Sequence, residues 1–139
     1  MTALAADGLT KTFGDERAVD DVEFTVDDGE FFALIGPSGC GKTTTLRLLA
    51  GLSTPDAGVV RVGGEDITDQ PARDRPTNMV FQDLVLFPHM TVAENVAYGL
   101  KQAGMPAADR TSRVEDTLAL VEMSQFADRD PTELSGGQQ

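Results

Sequence analysis

The chain has 139 residues, 40% of them hydrophobic, which suits one soluble domain of ordinary size. Its longest apolar run is far shorter than a membrane span, and residues 1–11 lack the pattern of a signal peptide, so we expect a cytosolic protein. The net charge of -12 comes from 23 acidic and 11 basic residues, which argues against nucleic acid as a partner because phosphates need a basic face.

Cysteine usage and charge distribution narrow the class of protein further. The single cysteine, Cys40, excludes an internal disulfide and a multi-cysteine zinc site. The acidic residues are spread along the whole chain, which favours the hypothesis that the protein is adapted to a high-salt cytoplasm, where screening suppresses self-repulsion.

Two strands are predicted before the first Gly-rich loop. In AVDDVEFTVDD, Val22, Phe24 and Val26 alternate with polar residues, which predicts a half-buried strand that ends at the turn Asp28-Gly29. The following run EFFALIG is continuously apolar and predicts a strand buried on both faces, as in a parallel sheet covered by helices.

A helix and two more strands are predicted after this loop. The leucines of TLRLLA favour a helix that Gly51 closes. Residues 58–62 read as a strand that ends at the turn Gly63-Gly64, and residues 78–81 as a short apolar strand.

Two helices are predicted in the second half of the chain. Thr91 and Glu94 have the spacing of a capping box, and the helix that they begin continues to Gly104. A second helix runs from about Ala107 to Met123. Its apolar face would consist of Val114, Leu118 and Val121.

The run GPSGCGKT, residues 36–43, matches the phosphate-loop pattern, and it stands between a predicted strand and a predicted helix, as that motif requires. Its glycines allow successive backbone N–H groups to face a phosphate at a helix N-terminus. Lys42 would reach the β- and γ-phosphates of ATP, and Thr43 would place its hydroxyl on Mg²⁺. The predicted ATP-binding residues of the loop are Gly36, Pro37, Ser38, Gly39, Cys40, Gly41, Lys42, Thr43 and Thr44.

Two further signals identify the family that the chain resembles. Gln82 ends the predicted strand 78–81, where a neutral amide would coordinate Mg²⁺ or orient an attacking water. Residues 134–138 read LSGGQ, a second Gly-rich motif. With the phosphate loop, their order and spacing resemble the ATP-binding cassette family, the ATPase subunits of ABC transporters, over essentially the full length of the chain.

The resemblance implies an α/β fold: an incomplete P-loop core of the ABC type with an antiparallel β subdomain and an α-helical subdomain. It implies one ATP-binding domain over residues 1–139, with a β-rich and P-loop part to about residue 85 and a helical part from about residue 86. The second part includes residues 134–138, which resemble the signature sequence of the family. The Asp-Glu strand that the family carries after the signature, called Walker B, and its later catalytic histidine are absent from these residues. We therefore expect negligible steady-state ATP hydrolysis by the 139 residues alone. Exposed apolar strand edges would also make the isolated chain poorly soluble or partly unfolded.

The resemblance also assigns roles to site residues. Phe13, in KTFG, corresponds to the aromatic residue that the family stacks on adenine. Lys42 and Gln82 are the catalytic candidates, with Thr43 and Gln82 as ligands of Mg²⁺. In this family two cassettes face head to tail, so that the signature of one subunit completes the ATP site of the other. The residues that would contact ATP in trans are Ser135, Gly136, Gly137 and Gln138.

The region from Arg75 to Lys101 resembles importer ATPases that serve spermidine and putrescine, ferric iron, sulfate or maltose-type sugars. This implies a second cassette subunit, transmembrane permease subunits, an extracytoplasmic substrate-binding protein and a location on the inner face of the cell membrane. The segment 87–90, which includes the only histidine, His89, would lie near a coupling helix of the permease.

Two alternatives stay open at this point. One is a soluble cassette ATPase of DNA repair, chromosome structure or translation, although Lys42 and Ser135 are fewer than a hundred residues apart and one cysteine cannot supply the zinc ligands of excision-type members. The other is a hydrolysis-deficient nucleotide-binding module that regulates a full-length cassette.

Overall fold

A computed structural model describes residues 2–81 and 86–139 of the chain. The chain forms two compact units, Met1–Met79 and Val80–Gln139. The predicted division of the domain near residue 85 stays a prediction. Within the described residues, every helix is too short or too polar to cross a membrane.

The first unit is built on a four-stranded antiparallel sheet. Its strands are β1 (Thr2–Phe13), β2 (Glu16–Asp27), β3 (Ala57–Val62) and β4 (Glu65–Asp66), in the order β2-β1-β3-β4. At residues 22–26 of β2 the apolar side chains are half-buried and the intervening polar side chains are exposed, which confirms the half-buried strand predicted from this alternation. The strand predicted at residues 58–62 is also confirmed.

Within the first unit, helix α1 (Lys42–Leu49) packs on this sheet. Its Leu48 is fully buried in a core with Leu9, Val60 and Ile67. As predicted, the helix ends just before Gly51, which has a φ of 73°.

The C-terminus of α1 is held by the buried side chain of Arg75. The guanidinium donates hydrogen bonds to the carbonyl oxygens of Leu48 and Leu49 at 2.8 and 2.9 Å, and to those of Gln70 and Thr68 at 2.8 and 2.7 Å. A cation at this end of a helix is favourable because the last carbonyls are unsatisfied and carry partial negative charge.

Two predicted strands are wrong. Residues 30–37 and 78–81 have no strand pairing, and Phe31, Ile35 and Val80 are 95%, 93% and 81% exposed. A strand buried on both faces needs neighbouring strands for its backbone groups, whereas the four strands of the described sheet pair only with one another. These segments are apolar, as the sequence indicates, but an apolar segment forms a strand only when other strands pair with it. No such pairing is present among the described residues.

The described residues of the second unit form two α-helices, α2 (Val92–Gln102) and α3 (Ala107–Leu120). The predicted capping box of α2 is confirmed: the Glu94 N–H donates to Thr91 Oγ1 at 3.2 Å, and the Thr91 N–H donates to Glu94 Oε2 at 2.8 Å. The helices share a core of Val92, Val114, Leu118, Met123 and Leu134.

Helix α3 ends three residues earlier than predicted, at Leu120, and Val121 is 57% exposed rather than part of the apolar face. The cause is a Schellman motif. Glu122 has a φ of 58°, its N–H donates to the Ala119 oxygen at 3.1 Å, and the Met123 N–H donates to the Leu118 oxygen at 2.8 Å. A glutamate in this position gives no sequence signal, because glycine is the usual residue there.

Candidate functional site

The phosphate loop, residues 36–43, follows the irregular segment that begins at residue 30 and leads into α1, and Gly41 brings it close to β2. This glycine has a φ of 87°, and a Cβ built on it would collide with the Ala18 backbone oxygen. Since an L side chain would be strained there and would collide with backbone, the loop can approach the strand only with glycine at this position.

The side chain of Lys42 folds back over the loop. Its Nζ donates hydrogen bonds to the carbonyl oxygens of Gly36 and Pro37 at 2.7 and 2.6 Å, and it lies 3.4 Å from Cys40 Sγ. A Cβ on Gly36 would lie 2.7 Å from the same sulfur, so a side chain there would have to displace the thiol. The ammonium group of Lys42 therefore lies over the centre of the loop.

The loop and the hairpin of β1 and β2 form one cleft of about 350 Å³. Phe13 lines it from the end of β1, opposite Glu16 of β2, which also lines the cleft, and 53% of Phe13 is exposed. The other lining residues are Ala18, Ser38, Gly39, Gly41, Lys42, Thr43 and Thr44. The structure thus brings most of the predicted loop residues together with Phe13, and this arrangement suits a ligand with an anionic end and an aromatic end.

The start of α1 adds donors to this cleft. The Thr45 N–H is the first to make the helical bond, to the Gly41 oxygen at 2.8 Å, which leaves the N–H groups of residues 42–44 at the helix N-terminus. Such a terminus combines backbone donors with the positive end of the helix dipole, so an oxyanion of the size of a phosphate fits the residues present.

The predicted magnesium ligands are only partly described. Thr43 is exposed at the start of α1, whereas Gln82 lies outside the described residues. Across residues 2–81 and 86–139, no group of three or more His, Cys, Asp or Glu side chains is placed to hold a metal ion. This does not bear on the predicted ligands, which are a hydroxyl and an amide.

The signature segment begins in the core of the second unit and then leaves it. Leu134 is buried, and Ser135 to Gln139 are exposed. The Gln138 and Gln139 N–H groups donate to the Ser135 oxygen at 2.8 and 3.0 Å, which is the hydrogen bonding of one helical turn. The Ser135 N–H donates to Gln138 Oε1 at 3.0 Å, one half of a capping box.

Asp130 fixes the approach to the signature. It precedes a 3₁₀ turn, Pro131–Glu133, and its carboxylate accepts hydrogen bonds from the hydroxyl and the N–H of Thr132 at 2.6 and 2.8 Å. These two hydrogen bonds, the hydroxyl first, hold the pKa of Asp130 below its usual range. The carboxylate is therefore ionised at neutral pH, which keeps the turn capped.

Asn95 organises the segment that contains His89, and sequence reasoning missed it. Its Oδ1 accepts the Phe87 N–H at 2.8 Å, and its Nδ2 donates to the oxygens of Phe87, Met90 and Thr91 at 3.2, 3.2 and 2.9 Å. The Phe87 ring also lies 4.5 Å from that of Tyr98 and 6.0 Å from that of His89. An asparagine within a helical pattern carries no signal for such a network before the fold is known.

Asp56 was also missed, because STPDAG reads as an ordinary turn. Its Oδ1 accepts a hydrogen bond from Lys11 Nζ at 2.8 Å, and its Oδ2 accepts one from the Thr12 N–H at 2.7 Å. These bonds, that from Lys11 first, hold the pKa of Asp56 below its usual range. The carboxylate therefore sits beside the two residues that precede Phe13.

Comparisons with known proteins agree with this geometry. A family model described as ABC transporter matches residues 19–139. A spermidine/putrescine import ATP-binding protein, PotA, of Marinobacter nauticus is 50% identical over 139 residues, which is 100% of this chain and 37% of that protein. A putrescine transport ATP-binding protein, PotG, of Escherichia coli is 53% identical over 130 residues, or 94% of this chain and 34% of that protein. The chain thus spans about a third of the length of these curated relatives.

A solved structure gives the same result for the fold. The dimeric structure of a post-hydrolysis state of the ATP-binding cassette MJ0796, bound to ADP and Pi, matches with a TM-score of 0.83 and 31% identity, and the match covers 97% of this chain and 64% of that one. The predicted P-loop fold of the ABC type, with an antiparallel sheet, a helical part and an incomplete core, is confirmed. The chain belongs to the ABC transporter family.

Proposed function

We propose that the chain is the nucleotide-binding part of an ABC importer subunit, which couples ATP binding and hydrolysis in a cassette dimer to the import of polyamines. The observation that carries this proposal is the cleft of about 350 Å³ in which Lys42 and the start of α1 lie together with Phe13. It joins an anion-binding loop to an aromatic surface within one compact unit.

The phosphate end of ATP would be held at the loop. Lys42 would exchange the carbonyl oxygens of Gly36 and Pro37 for phosphate oxygens, which form stronger, charge-assisted hydrogen bonds. The N–H groups of residues 42–44 would donate to the same phosphates. Thr43 and Gln82 are the proposed ligands of Mg²⁺, which when bound neutralises phosphate charge.

The base of the nucleotide would stack on Phe13. The ring is apolar, half-exposed and part of the same cleft, and stacking of a base on an aromatic side chain is worth about 1–3 kcal/mol. A phenylalanine offers no hydrogen bond, so we expect it to contribute affinity for aromatic bases in general.

The second Gly-rich segment would act on a partner. Ser135, Gly136 and Gly137 are exposed on one helical turn, where a hydroxyl and backbone N–H groups are available to a γ-phosphate held by a second cassette. ATP would then stabilise the dimer by binding between the two subunits, and hydrolysis would release it, a shift between two populations.

Import of spermidine or putrescine is supported by relatives at 50–53% identity that are polyamine transport ATP-binding proteins. The proposed partners are a second cassette, transmembrane permease subunits and an extracytoplasmic substrate-binding protein, with the chain on the cytoplasmic face of the membrane. The segment around Phe87 and His89, fixed by Asn95, is the proposed contact with the permease.

A chimera tests the proposal. The segment of the Marinobacter nauticus relative that matches this chain is replaced by residues 1–139, and uptake of labelled spermidine and putrescine is measured in cells that lack their own polyamine importer. We expect ATP-dependent uptake with the chimera and its loss with Lys42→Ala. Uptake that survives Lys42→Ala, at equal amounts of protein in the membrane, would contradict the proposal.

A further inference from the structure

Asp56 touches each of the three residues of β1 that lead to Phe13. Its own N–H donates to the Thr10 oxygen at 2.8 Å. Its carboxylate accepts the Thr12 N–H at 2.7 Å and Lys11 Nζ at 2.8 Å. One residue outside the cleft therefore binds both the backbone and a side chain of the strand end that carries Phe13.

The register of the sheet explains why a carboxylate is needed at this point. β1 pairs with β2 as far as Phe13 and Glu16, but it pairs with β3 only as far as Thr10 and Ala57. Beyond Thr10, β3 offers no further carbonyl, so the Thr12 N–H would lack an acceptor on that side. The Asp56 carboxylate takes this place, and a hydrogen bond to an ionised acceptor is stronger than one to a carbonyl.

The same carboxylate fixes the cation next to the ring. Lys11 Nζ lies 5.7 Å from the centroid of the Phe13 ring, within the range of a cation–π contact. The Lys11 side chain is only 18% exposed, and its ammonium group is held by Asp56. The ring is thus restrained through the backbone of the residues that precede it and through the cation above it, while Phe13 still lines the open cleft.

We propose that Asp56 is a positioning residue for Phe13, which raises the affinity of the cleft for the aromatic base of a nucleotide without touching the nucleotide. This inference rests on the proposed function, in which Phe13 stacks on the base of ATP. A ring that is already restrained loses less conformational entropy when a base stacks on it. The restraint therefore increases the affinity for the nucleotide. A carboxylate that merely completed the sheet edge would have no selective effect on the base.

Two ligands distinguish an effect on binding of the base from an effect on binding of the phosphates. The full chain is titrated with ATP and with inorganic tripolyphosphate, each with Mg²⁺, and binding is measured by calorimetry. Asp56→Ala is expected to weaken ATP binding about fivefold, through the stacking contribution, and to leave tripolyphosphate binding within about twofold. Asp28→Ala, an equal change of charge at an exposed turn of the same unit, is expected to change neither.

A double-mutant cycle shows whether Asp56 acts through Phe13. Phe13→Ala is expected to weaken ATP binding about tenfold, and adding Asp56→Ala to that variant should have no further effect, because the residue to be positioned is gone. Asp56→Asn keeps an acceptor for Thr12 and the size of the side chain, so its effect on ATP should be smaller than that of Asp56→Ala.

Four results would overturn the proposal. Equal ATP affinity of Asp56→Ala and the unchanged chain would show that Asp56 does not position the ring. Equal losses for ATP and tripolyphosphate, or losses that multiply in the double variant, would show a general structural role. If the unchanged chain bound neither ligand, the proposed function would fail and this inference with it.

Discussion

The two Gly-rich segments of this chain use glycine for different reasons. In the phosphate loop, Gly36 and Gly41 are crowded by Cys40 and Ala18, and Gly41 has a left-handed φ. In the signature, a Cβ built on Gly136 or Gly137 meets nothing within 4 Å, and neither residue has a left-handed φ. The fold therefore requires glycine at position 41, whereas the described residues place no such demand on positions 136 and 137.

The largest effect is expected where the fold requires glycine. Gly41→Ala combines a strained φ with a backbone collision, so we expect it to destabilise the start of α1 by about 3 kcal/mol. Hydrogen exchange of the α1 amides should then rise about a hundredfold. Gly14→Ala is the matched control, because it has a φ of 58° but open space around it, and it should cost about 1 kcal/mol. Equal effects of the two variants would break the comparison.

The C-terminus of α1 sharpens the comparison, because hydrogen bonds from Arg75 within this chain stabilise it. Arg75→Lys replaces a planar fork on four carbonyl oxygens by one ammonium group, so some of these acceptors lose their partner. We expect the free energy of unfolding to fall by about 2 kcal/mol in chemical denaturation followed by circular dichroism. Arg73→Lys, the same change at an exposed position, should stay within about 0.5 kcal/mol. If both variants were equally stable, the hydrogen bonds of Arg75 would stabilise α1 less than their geometry indicates.

In the signature, we expect the opposite pattern, with function lost and stability kept. Ser135→Arg should leave unfolding and monomeric ATP binding unchanged and weaken ATP-dependent dimerisation at least about tenfold, because a large cation would occupy the open turn. Sedimentation velocity with ATP and Mg²⁺ measures the dimer. Ser124→Arg adds the same charge at another exposed serine of the second unit and should have no effect. Unchanged dimerisation of Ser135→Arg would remove the proposed role of the segment.

The smallest effect concerns the turn before the signature. Because the folded-state pKa of Asp130 is depressed, its cap contributes stability above the pKa of the unfolded chain and loses it as pH falls through the lower, folded value. The amide resonance of Thr132 should therefore titrate with a midpoint below the usual range of aspartate, as followed by NMR, and Asp130→Asn should abolish that titration. A midpoint in the usual range would mean that the cap does not form in solution.

Local patterns predicted local structure well. The alternation along β2, the capping box of α2 and the stop of α1 at Gly51 all depend on residues close in the chain, and all three were predicted correctly. The segments 30–37 and 78–81 were not, because a buried strand is defined by its neighbours rather than by its own apolar run.

The same division applies to the candidate site. The phosphate loop and Phe13 were predicted from motifs, and they do share a cleft. Asp56, Asn95 and Arg75 were missed because each acts through backbone groups that only the fold brings near. The roles of Gln82 and of the signature residues stay predictions.

The most direct test of the account is ATP binding by the monomeric chain and by two variants, measured by equilibrium dialysis with Mg²⁺. If the cleft at Phe13 and Lys42 holds the nucleotide, Lys42→Ala should bind ATP about a hundredfold more weakly, through the loss of charge-assisted contacts, while Ser135→Arg binds as the unchanged chain does. If Lys42→Ala, still folded by circular dichroism, bound ATP as tightly as the unchanged chain, the cleft would not be the nucleotide site.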